Sequence, residues 1–136
     1  MINQYSRTEL LIGSDGLEKL KNSRVAVFGV GGVGGFTVEA LARSGVGTID
    51  IIDNDTVSLT NINRQIIATH STVGKLKVDV MEERIKDISP STVVNKYDCF
   101  FLPENAENFD FRRFDYVVDA IDTVSGKIGL AEKCSI

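Results

Sequence analysis

The sequence predicts an α/β fold in which helices cover both faces of a mostly parallel, doubly wound sheet. Three observations predict it. Strand-like and helix-like segments alternate along the chain, the strand-like segments are short continuous apolar runs, and a glycine-rich turn follows the first of them. The 136 residues are enough for one core. We expect residues 1–22 to form an N-terminal helical segment and residues 23–136 to form a Rossmann-like domain.

The first half of the chain supplies two predicted helices and two predicted strands. Ser14 is a candidate cap for a helix over 14–22, which has Leu17 and Leu20 on one face. The apolar run before Gly29 predicts a strand over 24–28, and the run before Asp53 predicts a second strand over 48–52. Between them, residues 29–35 predict a glycine-rich turn and residues 36–44 a helix that ends at Gly45.

The second half repeats the alternation after a polar, irregular segment over 58–71. Apolar residues at helical spacing predict a helix over 75–88, with Pro90 beyond its end. Strands are predicted over 92–97 and 114–119, and a helix from residue 123 to the last residue. Because this last pattern has no stop signal, we expect the sheet to be incomplete on its C-terminal side, which leaves an uncovered edge.

Composition excludes several classes of protein. The net charge of −4 and the pI of about 5.0 argue against a domain whose whole surface binds nucleic acid phosphates. No apolar run approaches the ~18 residues that a membrane span needs, so we expect no membrane partner. The two isolated cysteines, Cys99 and Cys134, indicate reduced thiols in a cytoplasmic protein rather than a disulfide framework.

The glycine-rich turn predicts a nucleotide site. Gly29, Gly31, Gly32 and Gly34 follow a strand and open a helix, where the backbone turns tightly and its free N–H groups can approach a phosphate. Asp53 ends the next strand, at the interval where an acid meets ribose hydroxyls in dinucleotide folds. The turn alone does not identify the nucleotide, and taken by itself it favours NAD.

A polar segment follows the second strand, at the sheet edge where ligands of open α/β proteins bind. It begins with Asp53 and Asp55 and continues to Asn61 and Arg64. The Arg64 guanidinium could bind phosphate oxygens through two of its donors, and Asn61 could hold the loop or a ribose. A solvated loop of turn-forming residues is the alternative interpretation.

Four further residues are candidates, and each has a plain structural alternative. Lys77, at the start of the helix over 75–88, could point into the same crevice or be a solvated lysine. Asp119 and Asp122, at the end of the fourth strand, could meet a Mg²⁺ ion bound to phosphates, and Asp122 could instead or also cap a helix. Arg7, before the first strand, could reach a nucleotide in its own chain or in a partner, or be a surface charge.

Five motifs in this order give the chain a resemblance to the superfamily of ubiquitin-activating-like adenylating enzymes, the ThiF, MoeB and HesA group. They are Gly29-x-Gly31-Gly32-x-Gly34, Asp53-x-Asp55, Asn61-x-x-Arg64-Gln65, Gly74-x-x-Lys77 and Asp119-x-x-Asp122. Within that superfamily the chain most resembles the tRNA threonylcarbamoyladenosine dehydratases. The telling stretches are residues 7–13, 60–66, 80–85 and 119–122. The resemblance covers roughly the N-terminal half of the family's usual chain.

The resemblance implies a role for each matched residue. The glycines let the backbone lie against ATP, and Asp53 holds the ribose, with Asp55 in the same motif. It also implies that Asn61, Arg64 and Lys77 contact phosphates, that Asp122 supports Mg²⁺, and that Arg7 crosses a homodimer interface to the partner's ATP. The implied cofactors are ATP and Mg²⁺, the implied substrate is tRNA, and a sulfur-transfer protein is a further possible partner.

The implied reaction is the ATP-dependent adenylation of a carboxylate, followed in the dehydratases by ring closure on the modified adenosine. No Ser-His-Asp or Cys-His pairing is visible, so the protein is not expected to supply a nucleophile. Three other hypotheses stay open at this point. They are an adenylyltransferase acting on the C-terminal glycine of a sulfur-carrier protein, a non-catalytic nucleotide-binding or dimerisation module, and an NAD oxidoreductase.

Overall fold

A computed structural model describes residues 2–135. Its helices are α1 (Ser6–Lys21), α2 (Gly32–Ser44), α3 (Lys77–Ile88) and α4 (Val124–Cys134), and its strands are β1 (Arg24–Phe28), β2 (Thr48–Ile52), β3 (Val93–Tyr97) and β4 (Tyr116–Asp119). Short 3-10 helices span Leu59–Asn63, Pro103–Asn108 and Phe111–Arg113. In the described residues no helix is both long enough and apolar enough to cross a bilayer.

The four strands form one parallel sheet in the order β3-β2-β1-β4. The chain therefore moves outward from β1 through β2 to β3 and then returns to pair β4 with the other side of β1. This reversal between β1 and β4 is the topological switch point of a doubly wound sheet, where a crevice opens beyond the carboxyl ends of the strands. The predicted fold class is confirmed, and the division of the chain at residues 22 and 23 stays a prediction.

Apolar residues cover both faces of the sheet. On one face, α2 and α3 pack their buried side chains against those of β1 and β2, and Val38, Ala42, Met81 and Ile85 are fully buried there. The other face is covered by α4 and by the segment between β3 and β4, which contributes Phe101, Phe109 and Phe111 to an aromatic cluster around Phe28. The continuous apolar runs of β1 and β2 follow from this burial on both faces.

One charged side chain lies inside the sheet. Asp50, in the middle of β2, is fully buried and accepts two hydrogen bonds from the Arg24 guanidinium, at 2.8 and 2.9 Å. The Tyr97 hydroxyl donates to the same carboxylate at 3.0 Å. Burial, with the nearby Asp50 charge second, raises the pKa of Tyr97. The carboxylate is thus paired and hydrogen-bonded, as a buried charge must be.

Several predicted element boundaries are corrected. Helix α1 begins at Ser6, eight residues before the predicted start, and is interrupted at Gly13, whose φ of 76° is not helical. Helix α3 begins at Lys77 because Leu76 is extended and pairs with Thr56. Helix α4 ends at Cys134 rather than running to the last residue, and Ile136 lies outside the described residues.

Candidate functional site

The glycine-rich turn connects β1 to α2, which begins at Gly32 rather than at the predicted residue 36. Gly29 has a φ of 98°, and a Cβ there would lie 2.4 Å from the Ala120 carbonyl oxygen. A Cβ on Gly34 would lie 1.7 Å from the Gly29 carbonyl oxygen. Gly34 is therefore a packing residue in the first turn of α2, and its expected place beside the phosphates stays a prediction. A Cβ on Gly31 or Gly32 would have its nearest atom at 3.6 or 3.8 Å, which is ordinary van der Waals contact, and both residues line the cleft.

Asp53 ties the end of β2 to this turn. One carboxylate oxygen accepts the Val30 N–H at 2.8 Å, and the other accepts the Asp55 N–H at 2.8 Å. Both bonds are charge-assisted and hold the backbone of the two loops in place. Each carboxylate oxygen has a further acceptor site. The residue can therefore order the glycine turn and still face a ligand in the cleft that it lines.

Two of the predicted cations lie on the β2 side of the cleft. Lys77, the first residue of α3, has only 7% of its side chain exposed, and its ammonium is 3.7 Å from the exposed Asp55 carboxylate. A buried ammonium with one loose partner favours an anion beside it. The exposed Arg64 uses Nη1 to donate to the Thr60 carbonyl and the Asn63 amide oxygen. The residue as a whole lines the cleft.

Asn61 holds the loop that carries Arg64. Its side-chain oxygen accepts the Ser58 N–H at 2.9 Å, and the residue is 8% exposed within the 3-10 helix Leu59–Asn63. It does not line the cleft. Of the two roles open to Asn61 in the sequence, the structure supports the holding of the loop.

The opposite wall of the cleft follows β4. Asp119 accepts the Ile121 N–H at 3.0 Å and the Lys127 ammonium at 3.2 Å, both on the same oxygen. Asp122 is exposed and lines the cleft. Thr123 occupies the N-cap position of α4 without a side-chain cap hydrogen bond, so the alternative interpretation of Asp122 as the cap residue is wrong.

Lys127 and Gln65 are among the cleft residues that were not predicted site residues. Lys127 lies in the first turns of α4, and its position was hidden in an ordinary helical pattern. Gln65 was part of a matched motif, and its side-chain oxygen is buried without a hydrogen-bond partner in the described part of the chain. The signal for Gln65 was its place beside Arg64, whereas no sequence signal marked Lys127.

A third wall comes from the segment after β3, where Cys99 and Phe101 line the cleft. Together the walls enclose a volume of about 670 Å³, which is the size of a small-molecule or cofactor site. Eight of the eleven predicted site residues lie here: Gly29, Gly31, Gly32, Asp53, Asp55, Arg64, Lys77 and Asp122. Gly34 and Asn61 lie outside it, as does Arg7, which is exposed on α1.

The acidic residues fit a cation that is held mainly by phosphates. Within residues 2–135 no three His, Cys, Asp or Glu side chains gather into a metal site of their own. Asp122 and Asp55 are exposed and line the same cleft from opposite walls. Mg²⁺ keeps several waters and takes one or two carboxylates plus substrate phosphates, which agrees with this arrangement.

Known proteins are similar to this chain in sequence and in fold. The chain is 54% identical over 134 residues to the tRNA threonylcarbamoyladenosine dehydratase of Bacillus subtilis (strain 168), covering 98% of the chain and 53% of that relative. It is 40% identical over 123 residues to the adenylyltransferase and sulfurtransferase UBA4 of Vanderwaltozyma polyspora, covering 88% of the chain and 28% of that relative. The chain thus spans about half the length of the dehydratases it matches.

A solved structure is similar to this chain in its three-dimensional fold. The Escherichia coli tRNA N6-threonylcarbamoyladenosine dehydratase TcdA, in complex with ATP, matches with a TM-score of 0.94 and 41% identity, over 97% of this chain and 54% of that one. The model of the ThiF family matches residues 5–135. The chain therefore belongs to the ThiF family.

Proposed function

We propose that this chain carries the ATP site of a cytoplasmic enzyme that adenylates a carboxylate, and that the carboxylate belongs to threonylcarbamoyladenosine in tRNA. The observation that carries the proposal is the cleft itself. Arg64, Lys77 and the N-terminus of α2 face one crevice at the switch point of the sheet. The identity of 54% to a tRNA threonylcarbamoyladenosine dehydratase supports the substrate.

The chemistry requires positive potential more than it requires a protein nucleophile. A carboxylate oxygen attacks the α-phosphorus of ATP, the bond to the bridging oxygen breaks, and pyrophosphate leaves. Arg64, Lys77 and the helix N–H groups stabilise the negative charge that builds up in that step. Mg²⁺, held by Asp122 and the phosphates, would supply further charge neutralisation.

The second step completes the dehydration. The carbamoyl nitrogen of the substrate attacks the acyl carbon and loses its proton, and AMP leaves with the former carboxylate oxygen. The substrate thereby loses the elements of water, and ATP becomes AMP and pyrophosphate. The functional unit in this proposal is a homodimer in which Arg7 of one subunit reaches the ATP of the other. Arg7 is exposed and lies outside its own cleft, which leaves it accessible to a second subunit.

The test uses the full-length protein with ATP, Mg²⁺ and tRNA that carries threonylcarbamoyladenosine, followed by mass analysis of the nucleosides. We expect loss of one water from the nucleoside, with AMP and pyrophosphate released in equal amounts. Lys77→Met should lower the rate by about 10²–10³-fold, as the loss of a charge-stabilising donor commonly does. Lys96→Met removes a surface lysine paired with Asp79 and Glu82 and is the matched control. An unchanged nucleoside with the wild-type protein would contradict the proposal.

A second candidate is an adenylyltransferase for a sulfur-carrier protein, with a sulfur-transfer protein as its partner. The 40% identity to UBA4 is the observation that favours it. In that case exchange of pyrophosphate into ATP depends on a carrier protein ending in glycine, and the tRNA has no effect.

A further inference from the structure

We propose that Lys127 binds the carboxylate of the substrate and so presents it to the α-phosphorus of ATP; this inference rests on the proposed function. Among the described residues, three cations line the cleft: Arg64, Lys77 and Lys127. The first two lie on the β2 side. Lys127 lies on the β4 side, on a different element, so its role has to be argued separately.

The position of the Lys127 ammonium is fixed by its contact with Asp119. The ammonium is 3.2 Å from Asp119 Oδ1, and the same oxygen accepts the Ile121 N–H at 3.0 Å. Asp119 is thus held by the loop that follows β4, and it holds Lys127 against the cleft wall. An ammonium has three N–H donors. Within residues 2–135 Asp119 takes one of them, and 47% of the side chain is open to solvent.

The charge of this wall explains why a cation is needed there. Asp119 and Asp122 make the β4 side of the cleft acidic, so an approaching carboxylate is repelled by both. Lys127 is the one cation on that wall in the described chain. Its ammonium offers the incoming anion a charge-assisted hydrogen bond, which offsets the repulsion.

The strand order separates Lys127 from the phosphate cations. β1 lies between β2 and β4, so the glycine turn at the end of β1 lies between the two walls. Phosphates beside the turn and the N-terminus of α2 have Arg64 and Lys77 on the β2 side. The substrate carboxylate is a second anion that must reach the α-phosphorus. It enters from the β4 side, which Arg64 and Lys77 leave open. Lys127 is the residue on that side which can receive it.

The first experiment separates substrate binding from ATP binding in the full-length protein. Lys127→Met removes the charge and keeps the length of the side chain. We expect the KM for threonylcarbamoyladenosine tRNA to rise by about 10–100-fold, the loss of one hydrogen bond to a charged group, with the KM for ATP unchanged. Lys127→Arg should recover most of the loss. Lys133→Met is the matched control, because Lys133 is on the same helix and contacts Glu107 outside the cleft.

The second experiment tests recognition of the carboxylate directly. The free nucleoside threonylcarbamoyladenosine and its neutral carboxamide analogue are bound to protein saturated with a non-hydrolysable ATP analogue. The wild-type protein should prefer the acid by about tenfold or more, and Lys127→Met or Lys127→Gln should lose that preference. Melting curves show whether each variant retains the fold. If only one of the two uncharged variants folds, that variant alone is enough for the test.

Three outcomes would overturn the inference. An unchanged preference for the acid in both uncharged variants means that Lys127 does not contact the carboxylate. A rise in the KM for ATP with no change for tRNA means that Lys127 binds phosphate. A wild-type protein that binds ATP but converts no tRNA removes the proposed function, and the inference fails with it.

Discussion

At the scale of single residues, Gly32 and Gly34 of α2 must be glycine for different physical reasons. The nearest atoms to a Cβ built on Gly32 belong to Arg64, at 3.8 Å, and the added methyl would face the cleft. We expect Gly32→Ala to keep the melting temperature and to weaken ATP binding by about tenfold or more, because the backbone can no longer approach a phosphate. ATP titration and thermal melting measure the two effects.

Gly34→Ala is the matched comparison. Its Cβ would overlap the Gly29 carbonyl oxygen, and a backbone atom cannot move away cheaply. We expect destabilisation by about 3 kcal/mol or more, an overpacking cost, before any effect on ATP is considered. If both variants melt alike, the assignment of phosphate approach to Gly32 and of packing to Gly34 is wrong. The sequence placed both glycines in one turn and did not separate these two reasons.

At the scale of secondary-structure elements, α2 and α3 are joined by an ion pair. Glu39 is nearly buried on α2 and accepts two hydrogen bonds from Arg84 on α3, at 2.7 and 3.2 Å. The bonds to Arg84 hold the pKa of Glu39 below its ordinary value, against the effect of burial. Because the folded-state pKa is lowered, this pair stabilises the protein above the unfolded-state pKa of about 4.3, and the stabilisation is lost as the pH falls through the folded value.

Arg84→Met tests this pair. We expect the free energy of unfolding at neutral pH to fall by about 1 kcal/mol, since the arginine is partly exposed and solvent screens the interaction. The difference from the wild type should shrink in acid. Arg113→Met, which removes a highly exposed arginine near Asp110, should change stability less. A difference that grows as the pH falls would contradict the assigned sign.

Helices and strands were predictable where the sequence carries a local pattern of apolar residues. The apolar runs of β1 and β2 and the spacing of Val78, Met81 and Ile85 on α3 identified those elements from the sequence. The first half of α1 was not predicted. Leu10 and Leu11 are more than four-fifths exposed in the structure, so this half of the helix lacks the buried apolar stripe by which an amphipathic helix is identified in a sequence. The early start of α2 was missed because glycine has low helix propensity, and tertiary packing of Gly34 against Gly29 and Ala120 overrides it.

At the scale of the whole molecule, one of the two cysteines lines the cleft and the other does not. Cys99 follows β3 and lines the cleft, whereas Cys134 is exposed at the last residue of α4, outside it. Burial, with the charge of Asp98 second, raises the pKa of the Cys99 thiol. Its reaction with N-ethylmaleimide should therefore become fast only at higher pH than for an ordinary thiol, because the thiolate is the nucleophile.

We expect ATP to slow the alkylation of Cys99 in proportion to the fraction of protein bound, with Cys134 as the internal control. Mass mapping of each cysteine over time measures both rates. At an ATP concentration about 100 times the Kd, the free energy of unfolding should also rise by about 2.7 kcal/mol. Equal rates at Cys99 with and without ATP would show that the nucleotide does not occupy this cleft.

The sequence by itself determined the fold class and most of the candidate site, because periodicity, glycine turns and strand-end acids are local features that a parallel sheet brings to one edge. Asp53 was identified in this way, whereas Arg64, Lys77 and Asp122 were assigned to the site through the family resemblance, and all four line the cleft. Only the tertiary structure decided that Asp53 fastens the glycine turn, that Gly34 packs against Gly29, and that Lys127 faces the site. Each of these depends on atoms from segments distant in sequence, whose approach is fixed by the strand order and the packing of helices on the sheet.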